Sequence, residues 1–539
     1  MERREWLKMA GVGVAAAVTP VGAQAMQAMN ARTGGAEAPR RWLFDVRAFG
    51  AVGNGATLDT NAINAAIDAA AKAGGGTVVF PAGTYLSYSI HLKSKVGLFL
   101  DHGAVILAAS TPYDGMATGG YDHAEPQGAW EPYQDYGHNH WHNSLLWGEG
   151  LEDISITGSG MIWGKGLSRG WDKEKTRPNS YAAGVGNKAI ALKNCHNVLL
   201  KDFRILEGGW FGILATGVDN LTIDNLLIDT IRDGMDIDCC RNVRVSNCTV
   251  NSPYDDGICP KSSFALGYLK PTENVTIANC FVTGGYVVGT VMDGTWQKLD
   301  RGPRHRGTGR IKFGTESNGG FKNITITNCV FEDCQGFALE TEDGARVEDV
   351  TVTGITMRGV GSAPLFLRLG VRMRGPKTLV PGVMKRVILS NITSSGASML
   401  PSILSGVPGH MIEDVKISDV FLEQVGGGTA EMAALQPEEK EAGYPDPGMF
   451  GQLPASGLFA RHVRNLEVTN LQVETVNPDA RPAFWLRDID GADFFRVRVP
   501  RAAPAFALHD VKGFRSFGSR DVADVPLGDA AEKEIPALG

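Results

Sequence analysis

The chain has 539 residues, 43% of them hydrophobic, enough to bury a large core in one extended domain. Its net charge of -7 gives no basic footprint, which argues against a nucleic-acid partner. Beyond position 25 no apolar run reaches the ~18 residues of a membrane span, so no membrane association is expected once a leader is removed.

That leader comes first. Arg3-Arg4-Glu5-Trp6-Leu7-Lys8, an apolar stretch from Met9 to Val21, and Ala23-Gln24-Ala25 form the three parts of an export signal. The paired arginines resemble a bacterial twin-arginine signal. A periplasmic or secreted monomer is expected, with the signal over 1–25 and a linker over 26–41. Helical spacing of apolar residues is clear only in Asn61–Lys72, where a helix would cap the open end of a stack of strands.

Past that helix the period changes to two. Ile154/Ile156, Leu221/Ile223, Val243/Val245, Val275/Ile277, Ile324/Ile326, Val350/Val352, Val387/Leu389, Val415/Ile417 and Leu466/Val468 are apolar pairs with one residue between them. Such alternation marks strands with one buried face. Asn220-Leu221-Thr222-Ile223 recurs 22 residues later as Asn242-Val243-Arg244-Val245, and later starts are 26 to 51 residues apart. Short coils interrupted by loops explain that spread. Strands at these intervals also suit a sandwich or propeller. The in-register residues Asn225, Asn247, Asn279, Asn328, Asn391 and Asn470 favour stacked coils. The fold class is therefore all-β: a right-handed, single-stranded parallel β-helix over 42–530, with a short N-terminal capping helix and a tail over 531–539. Cys248, Cys280 and Cys329 recur in SNC, ANC and TNC and are expected to stack as buried thiols, not disulfides or metal ligands.

The chemistry concentrates in two acidic clusters. Asp233 in IRDGMDIDCC lies 22 and 23 residues before Asp255-Asp256 in SPYDDGICPKS, one repeat away. Stacked coils would bring the clusters roughly 4.8 Å apart. Carboxylates that close push each other's ionisation apart, so one keeps a proton while its neighbours stay charged. An acid and a base flanking a scissile glycosidic bond are the equipment of a glycoside hydrolase; inversion calls for a separation of roughly 6.5–9.5 Å. Asp236 and Asp238 are expected to be structural. His138-Asn139-His140-Trp141-His142 invites a metal reading, but a rim loop touching sugar fits better. No metal or other cofactor is expected. Arg310 and Lys312 alternate on a strand and would pair with a sugar carboxylate. Lys261, Arg368 and His410 are further candidates for the groove, and a Gly/Glu-rich loop over 425–443 would fold over it.

Two segments carry a family resemblance. FDVRAFGAVGNGATLDTNAINAAIDAAAKAGGGTVVFPAGTY (44–85) resembles the first segment of pectate-lyase-superfamily β-helices. NSLLWGEGLEDISITGSGMIWGKG (143–166), with the acidic clusters, resembles glycoside hydrolase family 28, the polygalacturonase-like enzymes. The resemblance spans roughly 42–475 and implies an exported inverting hydrolase of pectic or related uronic-acid polysaccharide. It implies Asp255 as the acid, with Asp233 and Asp256 activating water. The family's Asn-Thr-Asp falls on Ile231-Arg232-Asp233, so only the Asp is kept. Its Gly-His-Gly falls on Gly307-Thr308-Gly309 or on Gly285-Tyr286-Val287, with an insert between them, 288–306, that carries His305. Arg310-Ile311-Lys312 matches the family tripeptide but sits one coil early, and the expected coil reads Ala338-Leu339-Glu340. These departures suggest a divergent, exo-acting branch. The alternatives are a polysaccharide lyase using the carboxylates for Ca²⁺, and a non-catalytic glycan-binding β-helix.

Overall fold

Strands with one apolar face must cover it, and here each coil covers it with the next. The computed structural model of the protein describes residues 42–110, 120–169, 180–300 and 307–538; the expected signal and linker, and His305, lie outside them. Among the described residues the strands form a 28-stranded and a 6-stranded sheet. The apolar pairs seen in the sequence stand in one parallel register: Ile154, Val198, Leu221, Val243, Val275, Ile324, Val350, Val387, Val415 and Leu466 lie one above another. They line a single core running the length of the stack. This is a parallel β-helix.

Asparagine makes the corners. Asn225, Asn247, Asn279, Asn328, Asn391 and Asn470 all have φ between 53° and 58°. Asparagine tolerates this left-handed geometry better than most residues. A second column, Asn197, Asn220, Asn242, Asn274 and Asn323, is left-handed too; the Asn197 amide donates to Asp153 and each later amide to the Asn one coil earlier, at 2.8–3.1 Å. The thiols of Cys248, Cys280 and Cys329 stack beside these corners, each donating to the carbonyl two residues back. All eight cysteines are buried and unpaired.

The helix Thr60–Lys72 buries Ile63, Ala66, Ile67 and Ala70 against the first strands. At the other end the chain reverses. Val525–Pro536 runs antiparallel to Pro504–Phe517, so the sheet continues through the tail expected from 531. That strand reads VPLGDAAEKEIP, mostly exposed, and carries no apolar alternation from which to infer it.

Candidate active site

The groove strands stack as Phe211–Thr216, Asp233–Asp238, Ile258–Lys261, Lys312–Phe313 and Phe337–Thr341. Gly212, Gly234 and Gly257 sit in line at their starts. A Cβ on Gly212 would meet Gly234 O at 2.5 Å, and one on Gly234 would meet Gly257 O at 2.4 Å. Only glycine lets the coils close to that distance beside Asp233 and Asp256. Ser252 locks the acidic turn, its hydroxyl bonded to Arg232 O and Asp255 O.

Three carboxylates result, with one oxygen of each within 4.8 Å of the others. The Asp256 N–H donates to Asp233 Oδ1 and to Asp255 Oδ1, both at 3.1 Å. The two clusters occupy adjacent coils, as their one-repeat spacing in the sequence leads one to expect, and share one N–H. Their surroundings differ. Burial, reinforced by the charges of Asp255 and Asp236, lifts the Asp233 carboxyl well above its ordinary range. Burial acts the same way on Asp256, but Lys312, Arg310 and Lys261 outweigh it and hold that carboxyl low. Arg310 Nε donates to Asp256 Oδ1 at 3.0 Å and Lys312 Nζ lies 3.2 Å from Oδ2. Asp255 is met by Arg232, whose Nε and Nη2 reach Oδ2 at 3.0 and 2.8 Å.

Several expected sugar contacts are occupied inside the protein. Arg310 and Lys312 are buried on Asp256 and do not present an open clamp. Lys261 is buried on Glu316 at 3.0 Å, with Asp236 at 3.9 Å. Arg368 is fully buried: it pairs with Glu342 at 3.3 Å and donates to the carbonyls of Glu439, Lys440 and Glu441. Its role is to anchor the 425–443 loop, which sequence distance alone concealed. Arg461 does the same through Pro437, Glu438 and Glu439 carbonyls. The Tyr286 hydroxyl is spent on Glu332 and the Lys298 ammonium, not on the aspartates. His410 is exposed in a tight turn bridged to Val407.

The three histidines disperse. His138 binds Asp236 at 2.9 Å, His140 binds Tyr136 O at 2.9 Å, and His142 binds Glu149 at 3.0 Å. Asp236 and Asp238 are fully buried, the latter capping Ser263, as structural residues do. Sequence reasoning gave no role to two contributors, Arg232 and Glu340, noted only as departures from the family motifs; Tyr444 it placed beside the loop expected to fold over the groove. Tyr444 comes from the anchored loop, its ring 5.6 Å from Lys312 Nζ.

Comparisons with known proteins agree on this architecture. The family described as "Rhamnogalacturonase A/epimerase, pectate lyase-like" matches residues 43–129, and "Right handed beta helix region" matches 189–363. A probable polygalacturonase of Vitis vinifera is 25% identical over 461 residues, 79% of this chain and 84% of the relative. The Yersinia enterocolitica family 28 exopolygalacturonase superposes with a TM-score of 0.58 at 21% identity, over 83% of this chain and 78% of that one. Plasmin and fibronectin-binding protein A of Streptococcus pneumoniae is 31% identical over 255 residues, 44% of this chain but 31% of the relative. The fold is a right-handed parallel β-helix, polygalacturonase-like and of the pectate-lyase superfamily type.

Proposed function

We propose that this chain is an exported, inverting glycoside hydrolase of pectic or related uronic-acid polysaccharide, acting from a chain end. The observation that carries the reading is the trio Asp233, Asp255 and Asp256, gathered on two coils and given opposite electrostatic surroundings. A solvated acidic turn has no reason to bury two of its members.

In the proposed reaction water attacks the anomeric carbon while the glycosidic C–O bond breaks. Asp256, kept anionic by Arg310 and Lys312, takes the proton from water. Asp255, the most exposed of the three, gives a proton to the leaving oxygen. Asp233, lifted by burial toward its protonated form, lies beside Asp255, both accepting from the Asp256 N–H, and is the proton source that recharges the acid in this reading. The compact spacing does not by itself argue for inversion; the family resemblance does, and the cations on both Asp256 oxygens disfavour a free nucleophile. Those same cations weigh against Ca²⁺-dependent elimination, since they already occupy both oxygens of one of the three carboxylates an ion would need. The loop pinned by Arg368 and Arg461 brings Tyr444 over Lys312, which supports a groove walled at one end. The similar exopolygalacturonase fits end-on action.

The test is product analysis on oligogalacturonides. Inversion predicts that proton NMR first detects the anomer opposite to the scissile linkage, with no ultraviolet-absorbing unsaturated ends. Asp255→Asn should remain folded and lose ~10²–10⁴ in rate. Unsaturated products would replace the reading with elimination.

A further inference from the structure

Four cations surround the three aspartates, and three of them are closed off. The side chains of Lys261, Arg310 and Lys312 are 7%, 3% and 5% exposed, each committed to a buried carboxylate. Arg232 differs: it keeps 22% exposure and its partner Asp255 keeps 25%. An anionic group entering the groove therefore meets Arg232 before any other cation at the aspartates.

The geometry of that pair is unusual. Nε and Nη2 of Arg232 both converge on a single oxygen, Asp255 Oδ2, and Nη1 reaches Arg169 O at 3.3 Å. A guanidinium pairs most strongly when two N–H groups meet two oxygens in parallel. Asp255 does not offer that arrangement, because its Oδ1 is turned to the Asp256 N–H. A planar carboxylate arriving from the groove can. The guanidinium also lies over the Trp210 ring at 5.2 Å, and Trp210 stacks on Phe211 within 8° of parallel. This aromatic base fixes the plane of the cation, whose nitrogens are shared between Asp255 Oδ2 and the Arg169 carbonyl. Tyr181 meets the edge of Trp210 and packs against Tyr136 at 4.3 Å, extending the aromatic base.

We propose that Arg232 is the specificity-determining contact for the substrate's carboxylate, and that engaging it draws the guanidinium away from Asp255 Oδ2. The oxygen released can then take up the proton held by Asp233 and pass it to the glycosidic oxygen as the C–O bond breaks, so recognition of an acidic sugar and readiness of the acid become one event. The proposal rests on the hydrolase reading for its catalytic half and on the pair's geometry for its binding half.

The experiment compares the full-length wild type with Arg232→Gln and Arg232→Lys on trigalacturonate and on its methyl ester. Hydrolysis is followed as kcat/KM and binding separately by calorimetry. The wild type should prefer the free acid in both measurements. Arg232→Gln should lose that preference by about ten- to hundredfold, the scale of one charge-assisted contact. Arg232→Lys, which keeps the charge but not the fork, should retain part of it and serves if the Gln variant does not fold. An unchanged preference for the free acid in the variants, with both substrates weakened equally, would overturn the proposal and leave Arg232 a support for Asp255. A wild type that binds trigalacturonate through Arg232 yet hydrolyses neither substrate would instead sink the hydrolase reading and keep the binding site.

Discussion

Glu340 offers a direct measure of the electrostatics beside the groove. It is fully buried, neither carboxyl oxygen has a hydrogen-bond partner, and Lys312 Nζ stands 3.9 Å away. Burial, only partly opposed by Lys312 and Arg310, pushes its ionisation up from 4.5 to about 7. In the unfolded chain the same carboxyl loses its proton near 4.5. Between those values unfolding releases a proton, so the stability Glu340 contributes below about pH 4.5 is lost as pH rises through about 7. At ~1.36 kcal/mol per pH unit the loss approaches ~3 kcal/mol. An unfolding entropy of about 2.1 cal/mol/K per residue gives ~1 kcal/mol/K for ~500 residues, hence ~3 °C in Tm. Glu340→Gln keeps the shape and cannot titrate. Calorimetry should find the two proteins melting together near pH ~4.5 and the variant ~3 °C higher at pH ~7.5. Parallel curves at every pH would refute the assignment of a neutral buried carboxyl.

Other expectations are simpler to check. All eight thiols should resist a thiol reagent in the native protein and react after denaturation, because burial blocks access and raises Cys240, Cys259 and Cys334 above the ordinary thiol range. Asn274→Ala removes two ladder hydrogen bonds and forces alanine into a φ of 57°, so it should melt below Asn274→Gly by the equivalent of ~1–2 kcal/mol. Equal melting would mean that the corner is not strained. Arg310→Ala should depress hydrolysis of acidic and esterified substrates alike, since its partner is Asp256; a loss confined to the acidic substrate would return it to the role of sugar clamp. Turnover should fall as pH rises through the lifted ionisation of Asp233, and Asp233→Asn should abolish that alkaline limb.

What the sequence disclosed is what repeats locally. Period-two pairs, left-handed asparagines and stacked cysteines are each fixed by a few neighbouring residues, so the coils and their register could be read directly. The acidic clusters could be read because they fall one repeat apart. Partnership across long loops could not. Arg368 sits on a groove strand in sequence, yet the loop that covers it arrives some 71 to 73 residues later. Arg310 and Lys312 alternate as a clamp should, but Asp256 lies 54 residues before Arg310 and claims both of them. Arg232 was visible only as a mismatch, although a basic residue directly before Asp233 and one repeat from Asp255 is itself a signal.

The reversed final strand has a consequence for how these molecules meet one another. A stack of parallel coils ends in a row of unpaired N–H and C=O groups, the same template at every rung, and nothing in the hydrogen-bond pattern tells a neighbour's first strand from one's own next coil. Val525–Pro536 occupies that row running the wrong way, with register shifts along it and Asp529, Glu532, Lys533 and Glu534 turned to solvent. A second molecule approaching end-on finds a bent, charged edge in place of a flat one. Cutting the chain after Arg520 would expose Pro504–Phe517 and turn a self-limiting particle into a seed for fibres, visible as concentration-dependent growth in light scattering.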